Sequence, residues 1–143
     1  MTKLKWIIPT AVVIFVAYGA MRLFFMEDVT TGRGTFLYYV MIPEIIRDVP
    51  LSGLQEDPIY YSTSGDGPKL PASAVRFRTT DFVQAEREIT RYFLDRGFRK
   101  AGNNRLFLNN RYVEFARIPS GLLEVTLTTD IYAQNIAGTG ESE

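Results

Sequence analysis

The stretch Asp81–Leu127, DFVQAEREITRYFLDRGFRKAGNNRLFLNNRYVEFARIPSGLLEVTL, decides the fold, because the period of its apolar residues changes partway along. From Asp81 to about Arg96 the period is helical: Phe82, Ala85, Ile89, Tyr92 and Phe93 share one stripe, the pattern of a helix with one buried face. Asp81 and Gln84 stand at capping-box spacing, Glu88 and Arg91 are one turn apart and able to pair, and Gly97 lies just past the end. After Gly97 the period drops to two. Phe98–Ala101, Arg105–Leu108, Arg111–Ile118 and Leu122–Tyr132 read as strands, joined by turns at Gly102-Asn103-Asn104, Asn109-Asn110 and Pro119-Ser120-Gly121. Leu123, Val125 and Leu127 fall on one face of the last strand.

Upstream, Ala74–Arg78 alternates apolar and cationic residues, with Val75 and Phe77 facing inward, and Ile59–Ser62 reads as a short strand before a turn cluster at Ser64–Pro68. Strand, strand, helix and meander imply an α+β domain over 58–133, one main helix packed on a largely antiparallel sheet. The polar tail, 134–143, is expected to be disordered.

The segment 27–57 reads as a separate juxtamembrane stretch. Thr30-Thr31-Gly32-Arg33-Gly34 is a polar break, a hinge rather than a phosphate loop because the lysine and the spacing are missing. Phe36–Ile42 is an apolar run too short to cross a bilayer; it is expected either to form an interfacial or protein-contact segment or to begin the folded core. Phe36, Tyr38, Tyr39 and Met41 are the candidate partner-binding residues.

Trp6 to Met26 is apolar or small throughout except for Arg22, and 21 residues at 1.5 Å each span about 31 Å, the thickness of a bilayer core. Pro9 falls in the first turn, Arg22 is placed to snorkel, and Trp6, Tyr18, Phe24 and Phe25 lie where aromatic side chains favour the interface. Residues 1–26 therefore read as a short cytoplasmic N-terminus and one transmembrane helix. A cleaved signal peptide and a buried core helix are the alternatives. The apolar run continuing past Gly19 argues against the first, and the small remainder of the chain against the second. Lys3 and Lys5 on the short side and Glu27-Asp28 on the other orient the domain out of the cytoplasm, as for a periplasmic domain on a bacterial inner membrane; Arg22 and Arg33 weaken the bias.

The 143 residues include no Cys and no His, which excludes thiolate nucleophiles, imidazole bases, disulfides and zinc fingers. No Ser-x-x-Lys motif and no carboxylate ladder for calcium occurs, so no cofactor or metal is expected, and a carboxylate-dependent hydrolase remains a formal alternative. The chain is neutral overall, but ten cations face five anions between Arg76 and Arg117, while 27–75 and 118–143 each carry a net −4. Arg96, Arg99, Lys100, Arg105 and Arg111 form a candidate basic rim for an anionic lipid or envelope polymer. Nucleic acid would need Phe98 and Tyr112 as stacking surfaces and the opposite topology, so it is not expected as a partner. The sequence thus implies a non-catalytic single-pass accessory subunit of a larger cell-envelope complex, in contact with the bilayer and an integral membrane partner. A tethered binding module using the basic rim is the alternative.

Overall fold

The computed structural model describes residues 4–24, 28–65, 69–102 and 104–131, with the side chains of the first helix from Ile7 to Arg22. The expectations for Lys3, Phe25–Glu27, the Asp66–Pro68 turn, Asn103 and the 134–143 tail lie outside these residues, as do those for the side chains of Lys5, Trp6 and Phe24. Helix α1 (Leu4–Phe24) is followed by β1 (Asp28–Gly32), two short helices, α2 (Phe36–Met41) and α3 (Glu44–Arg47), and the pair β2 (Ile59–Thr63) and β3 (Ala72–Arg78). Then come α4 (Phe82–Leu94) and the meander β4 (Arg99–Lys100), β5 (Arg105–Leu108), β6 (Arg111–Ile118) and β7 (Leu122–Thr129).

The architecture is α+β, as the sequence implies. All seven strands form one antiparallel sheet in the order β1-β2-β3-β7-β6-β5-β4. Strand β7 therefore returns to the middle, between β3 and β6. Side chains alternate across a strand, so the register collects one row, Tyr60, Val75, Val125 and Phe115, and beside it Leu106, Val113 and Leu127, all on one face. Helix α4 lays Ala85, Ile89 and Phe93, each 0% exposed, onto that face. Asp81 caps α4 by accepting from Gln84 N at 2.9 Å, and Gly97, at φ +88°, lets the chain turn back into β4. Asn109 at φ 55° makes the tight β5–β6 turn that its side chain tolerates. Glu88 accepts from Ser52 Oγ and from Gln84 Nε2 at 2.9 Å, with the Arg91 charge also favouring its carboxylate, which ties the helix to the loop between α3 and β2.

Two expectations change. The polar break is no hinge: Asp28–Gly32 is an edge strand paired with β2, and Val29 and Thr31, 2% and 8% exposed, face inward. The two threonines hide its period-two pattern. Nor does 27–57 stand apart from the domain, because Tyr38, Ile42, Ile46 and Val49 enter the common core. Tyr92 Oη donates to Ile45 O at 2.9 Å and joins α4 to α3.

Helix α1 has 21 residues, and every described side chain from Ile7 to Arg22 is exposed. Among the described residues no helix is long and apolar enough to cross a membrane; the described side chains of α1 cover about 24 Å of rise.

Replacing Ile89 by Ala is expected to cost about 2–5 kcal/mol through lost burial and the cavity left behind, and Asp81→Ala about 1 kcal/mol through the lost cap. Urea unfolding followed by circular dichroism in mild detergent measures both, and a smaller loss for Ile89→Ala than for Asp81→Ala would contradict the packing described.

Candidate functional site

The aromatic segment divides between core and surface. Thr35 Oγ1 caps α2 by accepting from Tyr38 N at 3.2 Å. One turn of helix then turns Tyr38 inward, its ring edge-on to Tyr60 at 4.7 Å, and leaves Phe36, Tyr39 and Val40 outward, 67%, 61% and 55% exposed. Of the four expected contact residues, Phe36 and Tyr39 form a patch, Tyr38 is interior, and Met41 is half-buried beside a cleft of about 240 Å³ shared with Pro43, Ser73 and Arg111. Val40 completes the patch; its i+4 spacing from Phe36 was the signal available for it. The Arg47 guanidinium lies 5.7 Å from the Tyr39 ring and 5.9 Å from that of Tyr38, and its Nη1 donates to Tyr39 O at 3.3 Å, so the patch is braced from α3.

The five cations do not gather on one rim, because alternation along the strands separates them. Arg105 and Glu114 pair on the face away from the helices, with the guanidinium 5.0 Å from the Tyr112 ring. Arg99, opposite Phe107, joins that face, while the adjacent Lys100 turns to the helix side and lines a cleft of about 460 Å³ with Arg87, Arg91 and Phe115. Arg96 stacks 3.6 Å over Tyr92, and it shares a third cleft, about 400 Å³, with Arg111, Glu44 and Asp48. Arg96 and Arg111 therefore line one cleft together with two carboxylates, and the other three lie elsewhere.

The sheet face away from the helices has no second layer among the described residues. Thr30, Tyr61, Ala74 and Thr126 cross it in register, lining a shallow cleft of about 380 Å³ with Ile59, Arg76 and Glu124. Hydrogen bonds from Thr63 and then from Tyr61, whose Oη donates to the Asp28 carboxylate at 3.1 Å, hold that carboxyl below its ordinary value. Glu86 accepts both Arg117 Nε and Nη2, at 2.7 and 2.8 Å, and Glu56 faces Arg78 Nε at 3.2 Å. These carboxylates serve surface ion pairs.

Beneath α2, Tyr60 is fully buried and its Oη lacks a hydrogen-bond partner at bonding geometry. Burial and the neighbouring Tyr38 push its ionisation up to about 12, with Arg33 pulling the other way. The sequence offered no sign of this cluster, since Arg33 and Tyr60 meet only through the β1–β2 pairing.

No family model matches the chain, and no curated protein or solved structure gives a match.

Tyr60 binds its proton more tightly folded than unfolded, where its pKa is about 10. Its contribution to stability is thus complete below pH 10 and is lost as the pH rises through 12. Tyr60→Phe should abolish that alkaline loss and, by removing an unpaired buried hydroxyl, raise stability at pH 7 by up to about 1 kcal/mol. Urea titrations at pH 7 and pH 11 test the pair of effects, and an unchanged alkaline loss in the variant would refute the assignment.

Proposed function

We propose that this chain is a non-catalytic, single-pass accessory subunit of a larger cell-envelope membrane complex. Its N-terminus is cytoplasmic, α1 is its anchor, and its α+β domain is extracytoplasmic on a bacterial inner membrane. The observation that carries the reading is the exposure of α1. Ile7, Ile8 and Val12 through Val16 are each more than half exposed, on every side of a helix against which no other described part of the chain packs. An apolar rod of this kind costs free energy in water in proportion to its area, and lipid or a partner helix removes that cost. The apolar sequence continues from Leu23 to Met26, which brings the stretch to bilayer length. Phe36, Tyr39 and Val40 supply a second surface, outside the bilayer, for a protein contact.

The rival reading, a tethered module that holds anionic lipid or polymer on a basic rim, draws less support, because its five cations occupy three separate places and Arg105 is already paired.

On this proposal the full-length chain resists carbonate extraction from membranes, and a chain lacking residues 1–26 is released. Purification from native membranes in mild detergent is expected to bring an integral membrane protein with it. Recovery of the full-length chain in the soluble fraction would overturn the anchor, and purification with no partner would overturn the accessory role.

A further inference from the structure

The two edges of the sheet are treated differently. At one edge β4 has only two residues, Arg99 and Lys100, both cations, which is how natural sheets discourage pairing with another chain. At the other edge β1 has five residues, DVTTG, with no Lys, no Pro and no covering element among those described. Helix α2 lies beside that open edge, above β1 and β2. Its capping Thr35 meets Thr31 of β1, and its Tyr38 rests on Tyr60 of β2. Its outward Phe36, Tyr39 and Val40 are the exposed apolar patch of the domain's helix side nearest this edge.

We propose that β1 pairs with β1 of a second copy of this chain, antiparallel about Thr30, joining two seven-stranded sheets into one. Three features favour a second copy over a foreign strand. Paired strands lie about 4.8 Å apart. A helix seated above the β1–β2 boundary is therefore brought to about 10 Å from its symmetry mate, the distance at which helices pack. The two apolar patches are then set to cover each other. Pairing about Thr30 also places Asp28 of each copy opposite Gly32 of the other, so no like charges face each other across the junction. Finally, Val29 of one copy faces Thr31 of the other on the helix side, which continues the buried face across the junction. For two copies anchored in one membrane, this symmetry sets the two-fold axis along the membrane normal. The inference rests on the accessory-subunit reading only in treating the α2 patch as a contact surface.

The full-length chain in mild detergent provides the test, and the absence of cysteine makes a single introduced thiol specific. Light scattering should find a dimer. Thr30→Cys lies opposite its own copy and is expected to give a disulfide-linked dimer on mild oxidation, whereas Phe107→Cys, exposed near the β4 edge, is not. Thr30→Lys sets like charges face to face and should weaken self-association about tenfold. Mixing Thr30→Lys with Thr30→Glu should restore dimers, which also confirms that both variants are folded. A monomeric wild-type chain, equal cross-linking at Thr30→Cys and Phe107→Cys, or a dimer indifferent to Thr30→Lys would each overturn the proposal. Failure to co-purify a foreign partner leaves these outcomes readable, and the two readings are thereby tested apart.

Discussion

The structure depends on the burial of a single sheet face. Tyr60, Val75 and Val125 sit in register on β2, β3 and β7 at 0% exposure, beneath a helix layer in which α2 covers Tyr60 with Tyr38 and α4 contributes the equally buried Ile89 and Phe93. Alternation along each strand then leaves the opposite face no choice. Once Val75 and Phe77 point to the helices, Arg76 and Arg78 must point away, and once Leu123 and Val125 are buried, Glu124 must meet Arg76 on the uncovered side. Such exposed pairs add little stability; their arrangement is a by-product of the core.

The same constraint shapes the surfaces on which a functional reading rests. The basic residues that crowd the helix exit and the hairpins in sequence are dealt alternately to the two faces, which dissolves the rim they suggest. The aromatic run Phe36–Met41 is likewise divided, since a helix of six residues can turn only part of its surface inward: Tyr38 is taken into the core and Phe36, Tyr39 and Val40 are left outside. What remains exposed is a patch on the helix layer, an open edge strand next to it, and the apolar helix α1 on the N-terminal side of that strand.

Local signals served the sequence reading well where they were strong. Asp81 caps α4, Gly97 ends it, and Ala85, Ile89 and Phe93 are its buried stripe, because capping and 3.6-residue periodicity act within a few residues of one another. The meander was legible for the same reason, through Asn109-Asn110 and Pro119-Ser120-Gly121. Strand β1 was not. Its Val29 and Thr31 face inward, but threonine reads as polar, and the glycines that follow read as a break. Strand pairing with a segment some thirty residues away made it a strand, and no window of local sequence contains that information.

By itself the sequence determined the class of fold, the main helix with its buried stripe, the apolar N-terminal helix, and the absence of any Cys or His chemistry. These follow from periodicity, capping and inventory, which are properties of neighbouring residues. Only the tertiary structure decided that β1 is an open edge, that Tyr38 lies beneath the patch instead of on it, and that the basic residues part company. Each of those outcomes depends on which strand lies beside which, and strand order is set by long-range burial of the shared face, not by any local preference.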